Sequence, residues 1–143
     1  MTSRTLTEKE SSELRSEIEK VWAWSGCYFY PLHPTTRTDV LAFDGDLLET
    51  IFPEPDFLRL ILSLPSSEIR CWRELDPSKE MCIGEFQFGY GYSETIVVND
   101  SLSWIIYWSH EGTVTFGGDQ LISKLKATVP NWENAVCKWG CNA

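Results

Sequence analysis

The sequence predicts a single-domain α+β fold, in which a mostly antiparallel meander sheet is covered by an N-terminal helix, a buried middle helix and a C-terminal helix. Two stretches predict the sheet, because residues 84–92 and 103–108 place large side chains on alternate positions, as strands do. Three stretches predict the helices, because residues 7–24, 56–64 and 119–129 repeat apolar side chains at helical spacing. The 143 residues, 43% of them hydrophobic, fit one domain over 1–143.

A run of consecutive strands between residues 84 and 118 forms the centre of the predicted sheet. Residues 95–98 and 103–108 are rich in β-branched and aromatic side chains, and turn-forming residues separate them, which predicts a hairpin. Gly112 can take the positive φ that a bulged turn into residues 113–116 needs. The second strand of the hairpin is predicted to be central because it is apolar on both faces: Trp104, Ile106 and Trp108 on one, Ile105 and Tyr107 on the other.

Residues 84–92 are predicted to form a further strand, since every second position carries an aromatic ring. The alternate positions hold Glu85, Gln87 and two glycines, and glycines spaced in this way indicate a bulge or the close approach of another backbone. The rings would share one face of the sheet. Tyr90 and Tyr92 could form a platform with Trp104 and Trp108 that stacks on a flat ligand or anchors a protein interface, and the alternative is packing in the core. These rings are Phe86, Phe88, Tyr90 and Tyr92.

Capping and proline signals place most of the remaining boundaries. Thr7 and Glu10 have the form of a capping box for the first helix. Asp46 and Asp119 are the predicted N-caps of a short helix and of the C-terminal helix, and Pro55 suits the first turn of the middle helix. Short strands are predicted at residues 27–32, 39–43 and 68–75. The ends of the chain, residues 1–6 and 131–143, are predicted to dock loosely.

The composition predicts a cytoplasmic protein with reduced thiols. The first residues are too polar for a signal peptide, and no apolar run approaches the ~20 residues that a membrane span needs. The five cysteines are odd in number and scattered along the chain, which favours buried, inert thiols over a disulfide framework.

The charge layout is the sequence feature most informative about function. The chain has a net charge of −9, and residues 39–56 and 80–123 hold twelve of its 21 acids and none of its 12 lysines and arginines. If these two windows are neighbours in the fold, they create a field of one sign that steers a basic protein toward the surface. The same charge argues against a nucleic-acid ligand. The alternative is an acidic surface that serves solubility.

These observations favour a non-enzymatic protein that binds a basic protein partner, as small bacterial immunity or inhibitor proteins do when they neutralise a toxin. Neither a membrane nor a cofactor is expected to bind, and the oligomeric state is left open. The predicted partner-binding residues are acids of the two windows together with two tyrosines: Asp44, Asp46, Glu49, Glu94, Asp100, Glu111, Tyr90 and Tyr92.

Catalytic and metal-binding patterns are sparse. His33 and His110 are the two histidines, and a His110–Glu111 acid/base pair at a turn is weighed against exposed turn residues without chemistry. Asp44 and Asp46 lack the later ligands of a calcium loop, and the cysteines lack a second ligand pair for zinc. The alternative function is a small-ligand-binding or hydrolytic domain, with a pocket beside Tyr90, Tyr92 and Trp108 and with Glu85, Glu94 or Glu111 as the acid or base. A purely structural subunit is a third possibility.

Overall fold

The computed structural model describes residues 3–26, 28–64, 68–74, 77–85 and 94–138. Seven strands form one antiparallel sheet: β1 (Arg4–Thr5), β2 (Val40–Asp44), β3 (Glu68–Arg73), β4 (Lys79–Cys82), β5 (Thr95–Asn99), β6 (Ile105–Trp108) and β7 (Thr113–Gly117). Their order across the sheet is β1-β4-β3-β5-β6-β7-β2. The helices are α1 (Glu8–Trp22), α2 (Gly45–Ile51), α3 (Glu54–Leu62) and α4 (Asp119–Thr128), with 3-10 turns at Ile83–Glu85 and Trp132–Ala135. The predicted α+β class is confirmed.

Helices cover both faces of the sheet. Leu48 of α2, Phe57 of α3 and Leu125 of α4 pack in one core cluster with Ile106 and Phe116 of the sheet. On the opposite face α1 packs Leu14, Ile18 and Trp22 against Ile105 and Tyr107. The alternation predicted for β6 is therefore confirmed, and β6 lies between β5 and β7 with large side chains buried on both faces.

Local signals set several helix boundaries as predicted. Thr7 caps α1, since its side chain accepts a hydrogen bond from the Glu10 amide while the Glu10 side chain accepts one from the Thr7 amide. Pro55 lies in the first turn of α3, which buries Phe57, Leu60 and Ile61. On the other side of α3, Leu62 is 56% exposed.

Two predicted N-caps are wrong. The side chain of Asp44, not Asp46, accepts hydrogen bonds from the amides of Asp46 and Leu47, because α2 begins at Gly45, two residues earlier than a cap at Asp46 would require. Asp119 is the first residue of α4, where its charge can still interact with the helix dipole, and the cap position is taken by Gly118 with a φ of 107°.

The strand predicted at residues 27–32 is wrong, since residues 28–33 form coil and a turn. Phe29 of this segment packs in the core and does not belong to a strand. It is 1% exposed, and its ring meets the Tyr107 ring edge-on with the ring centroids 6.0 Å apart. Thr115 Oγ1 donates to the Tyr30 carbonyl at 2.6 Å, which ties this segment to the α1 side of the sheet. The strand predicted at residues 84–92 starts in the 3-10 turn at Ile83–Glu85, and its residues 86–92 lie outside the described residues.

The described part of the tail covers part of the β2 edge of the sheet. Val136 forms an isolated antiparallel bridge with Phe43, and the Cys137 amide donates to the Ala42 carbonyl at 2.9 Å. Cys71 and Cys137 are buried and Cys82 is half-buried, whereas Cys27 and Cys141 lie outside the described residues. None of the helices in the described ranges combines the length and apolar character needed to cross a bilayer.

Candidate functional site

The strand register gathers several polar side chains at one end of the sheet. Thr95 pairs with Trp108, Val114 also pairs with Trp108, and Asp44 pairs with Thr113, so these strands reach the β6–β7 turn together. Hydrogen bonds within the turn stabilise it, because the Ser109 hydroxyl accepts from the amides of Glu111 and Thr113 at 3.2 and 3.1 Å. Gly112 has a φ of 81° there, as the sequence predicted.

Glu94, immediately before β5, is buried at this end of the sheet with an exposed fraction of 0%. Its Oε1 accepts a hydrogen bond from the His110 amide at 2.9 Å and also contacts His110 Nδ1. Its Oε2 accepts a hydrogen bond from the Tyr107 hydroxyl. Both carboxylate oxygens are therefore satisfied within the protein, which a buried acid requires. The Glu94 carboxylate does not reach the surface.

His110 connects the buried carboxylate to an exposed one. Its side chain is 44% exposed, and its Nε2 lies 3.1 Å from Glu111 Oε1. The hydrogen bond with Glu94 raises the pKa of His110 above its ordinary value of 6.5, partial burial opposes that shift, and the charges of Glu94, Glu111 and Glu74 add to it. An imidazolium, which donates from both ring nitrogens, suits an imidazole placed between two carboxylates.

Tyr107 completes the buried part of the site. Burial, and then the neighbouring Glu94 carboxylate, raise the pKa of the Tyr107 phenol. The phenol therefore stays protonated and donates its hydrogen bond to Glu94. The resulting chain runs from the core to solvent through Tyr107, Glu94, His110 and Glu111.

A small concavity of about 190 Å³ opens beside His110, lined by Tyr28, Leu32, His110 and Glu111. Tyr28 is 42% exposed, and its ring centroid lies 5.6 Å from that of His110. Ser25 holds the Tyr28 backbone in place, because its hydroxyl accepts from the Tyr28 amide and donates to the Tyr28 carbonyl, both at 2.8 Å.

Exposed or half-buried acids lie on the elements that meet at this end of the sheet, which are α2, the residue that follows β3 and the β6–β7 turn. The Gly45 amide donates to the Gly112 carbonyl at 2.7 Å, which joins α2 to the β6–β7 turn, and the Glu74 amide donates to the Glu94 carbonyl at 3.0 Å. The acidic end is defined here by five acids at this end of the sheet: Asp44, Asp46, Glu49, Glu74 and Glu111.

The acidic end differs from the rest of the acid-rich windows in its ion pairing. Asp39, Asp56 and Glu80 are neutralised by neighbouring arginines at 2.8, 2.9 and 3.3 Å. In the described ranges, no lysine or arginine forms an ion pair with the five acids of the acidic end, and Glu111 contacts His110. The register also places a cation, Arg73, next to Thr95 at this end.

Three further predicted partner-binding residues are Asp100, Tyr90 and Tyr92. Asp100 is in the β5–β6 turn, at the opposite end of the sheet, where Val98 pairs with Ile105. Tyr90 and Tyr92 lie outside the described residues. Trp108, proposed to line a pocket with them, is 1% exposed and packs in the core against the Phe57 ring, with centroids 5.9 Å apart.

A larger cavity of about 520 Å³ lies between the end of α2, α3 and the end of α4. Phe52, Leu60 and Pro130 supply apolar walls, and Asp56 and Arg59 pair at 2.9 Å on its lining. Its volume falls within the range of about 300–1,000 Å³ that ligand pockets usually have. Among the described residues, no group of three or more His, Cys, Asp or Glu side chains could hold a metal ion.

Comparisons with protein-family models, with curated proteins and with solved structures found no match to this chain. The functional interpretation therefore depends on the geometry of the acidic end.

Sequence reasoning selected Glu94, His110 and Glu111 and weighed His110 with Glu111 as an acid/base pair, but it did not predict that Glu94 contacts His110. The register of the β5–β6 hairpin would have predicted this contact. Thr95 pairs with Trp108, so Glu94, one residue before Thr95, lies beside the turn that follows Trp108. Tyr28 was missed because residues 27–32 were predicted to form a strand, whereas residues 28–33 form coil and a turn. No pattern in the sequence connects Tyr28 with His110, 82 positions later.

Proposed function

We propose that this protein binds a basic protein partner through the acidic end, as an immunity or inhibitor protein would. The supporting observation is that Asp44, Asp46, Glu49, Glu74 and Glu111 lie on elements that meet at one end of the sheet, without lysine or arginine ion pairs among the described residues. Acids arranged in this way produce a directed negative potential, which accelerates association with a positively charged surface and favours one orientation.

A charge-reversal experiment tests this proposal. The acidic-end variant Glu49→Lys/Glu111→Lys changes the net charge by four units, and the control Glu13→Lys/Asp100→Lys changes it equally at exposed positions outside the acidic end. Wild-type and variant proteins are immobilised and exposed to lysate of the source cells, bound proteins are identified by mass spectrometry, and the best candidate is purified for kinetic measurement.

The proposal expects a basic protein that binds the wild type and the control with similar affinity and the acidic-end variant at least ten times more weakly. Equal losses in the two variants would mean that net charge alone is responsible. Retention of a purified basic partner by the acidic-end variant would contradict the proposal, as would the absence of any basic partner.

The second candidate function, acid–base chemistry on a small molecule, is favoured by the Glu94–His110 contact. A buried carboxylate that holds one imidazole nitrogen can orient the other toward a substrate, as in general-base catalysis. Here Nε2 meets Glu111 at 3.1 Å, not a hydroxyl or thiol, so water would have to be the nucleophile. Turnover of a hydrolysable ester or amide that His110→Gln abolishes, with binding of the basic partner retained, would support this function.

A further inference from the structure

We propose that the concavity beside His110 receives an arginine side chain of the basic partner. This inference rests on the proposed function and names the contact through which the acidic end would recognise that partner. Four side chains form the pocket: Tyr28, Leu32, His110 and Glu111.

The size of the pocket favours a side chain over a whole ligand. Its volume of about 190 Å³ is below the roughly 300–1,000 Å³ of cavities that bury drug-sized molecules. Leu32 and the Tyr28 ring offer apolar surface for the methylene groups of a long side chain, and Glu111 offers a carboxylate for its charged head. Long basic side chains combine these two requirements.

The electrostatics of the pocket favour a cation even when His110 is protonated. The buried Glu94 carboxylate contacts His110 Nδ1 and offsets the positive charge of the imidazolium. On the solvent side, Glu111 Oε1 lies 3.1 Å from His110 Nε2. Glu74 is close enough to raise the pKa of His110 as well. The imidazolium and the two carboxylates that contact it, Glu94 and Glu111, together carry one negative charge.

Arginine fits better than lysine because of the position of Tyr28. Its ring is exposed beside Glu111, and the Ser25 hydroxyl holds its backbone through two hydrogen bonds of 2.8 Å. A planar guanidinium can stack on an aromatic face while donating two hydrogen bonds to one carboxylate, which the ammonium of lysine cannot do.

A titration with small probes tests the pocket without the unidentified partner. Nitrogen-15-labelled protein is titrated with N-acetyl-arginine methylamide, with the neutral citrulline analogue and with the lysine analogue, at constant ionic strength. We expect the arginine probe to bind in the millimolar range and to shift the amide resonances of residues 28–30, 32 and 109–112. The citrulline probe should leave them unchanged, and the lysine probe should bind several times more weakly.

Two variants locate the contact. Glu111→Gln and Tyr28→Leu should each weaken arginine binding about two- to fivefold, which corresponds to the loss of one interaction worth roughly 0.5–1 kcal/mol. Asp100→Asn removes an exposed acid at the opposite end of the sheet and should leave binding unchanged. Thermal unfolding of each variant verifies that it is folded.

Several results would overturn the inference: no localised shift with the arginine probe, equal shifts with citrulline, equal affinity for lysine, or binding that Glu111→Gln leaves unchanged. The outcomes for the pocket and for the proposed function are distinguishable. A pocket that binds arginine in a protein without a basic partner would refute the proposed function alone, whereas a partner whose binding tolerates Glu111→Gln and Tyr28→Leu would refute the pocket alone.

Discussion

At the scale of single residues, the hydrogen bonds of Glu94 explain how a buried acid is accommodated at the end of the sheet. Moving a carboxylate out of water is costly unless its oxygens are hydrogen-bonded and its charge is paired. Tyr107 and the His110 amide supply hydrogen bonds, and the His110 ring supplies the charge. Glu94 therefore positions His110, and through it Glu111, at the surface.

We predict that His110 titrates above its ordinary pKa of 6.5, because its protonated form is stabilised mainly by the hydrogen bond with Glu94. A group whose pKa is higher in the folded protein stabilises the fold below the unfolded value and loses that contribution as the pH rises through the folded value. The free energy of unfolding should therefore fall as the pH increases from about 6.5 through the folded pKa.

Nuclear magnetic resonance of the His110 ring carbons measures this titration directly. Glu94→Gln should lower the pKa of His110 by removing the largest contribution, and Glu111→Gln should lower it less. The groups facing the imidazole are Glu94, Glu111, Glu74 and the Tyr28 ring. A His110 that titrates at or below 6.5 in the wild type would contradict the structure of the site.

At the scale of elements, the start of α2 depends on Asp44, which ends β2 and caps the helix. Asp44→Ala removes the acceptor for two amide donors, and we expect a loss of about 1 kcal/mol in the free energy of unfolding. Asp46→Ala is the matched control, since its exposed side chain lies in the first turn and should contribute only a few tenths of a kcal/mol. Urea denaturation measures both, and a larger loss for Asp46→Ala would contradict this assignment of the cap.

Close packing between β7 and α1 makes Gly117 sensitive to substitution. A Cβ atom there would lie 2.5 Å from Ile105 Cγ2 and 2.9 Å from the Trp22 ring. We expect Gly117→Ala to destabilise the protein by about 1–3 kcal/mol, as overpacking does in other cores. Gly84→Ala is the control, because its Cβ would meet Leu62 at an ordinary 3.9 Å. Equal unfolding midpoints for the two variants would show that α1 does not pack as described.

Local patterns in the sequence predicted the elements that depend on neighbouring residues. The capping box of α1 and the β5–β6 hairpin follow from adjacent side chains, and they were correct. The segment at residues 27–32 could not be predicted in this way, because Phe29 and Tyr30 are placed by contacts with Tyr107 and Thr115 far along the chain. The candidate site has the same limitation, since tertiary contacts create its Tyr28–His110 pair.

At the scale of the whole molecule, the fold separates the acids of the two windows. Strand register brings Asp44 and Glu111 to one end of the sheet and leaves Asp100 at the other. Arginines pair with Asp39 and Asp56, so these acids add less to a directed field. The potential that a partner would encounter therefore depends on how the chain folds more than on its net charge of −9.

We predict that association with the proposed basic partner slows as salt increases, because screening shortens the reach of the acidic end from a Debye length of about 10 Å at 0.1 M to about 3 Å at 1 M. Stopped-flow measurements across this range should give a falling association rate constant with a smaller change in dissociation. Glu49→Lys/Glu111→Lys should flatten the salt dependence, whereas Glu13→Lys/Asp100→Lys should preserve most of it. An association rate indifferent to salt would refute electrostatic steering.

The bridge between Val136 and Phe43 has a consequence for how the protein behaves in concentrated solution. The unpaired edge of a β-sheet can recruit another polypeptide and start aggregation. The tail occupies part of the β2 edge through Val136 and Cys137. A truncated protein lacking residues 131–143 should therefore scatter more light on storage than the full chain, because its exposed edge becomes a template for self-association.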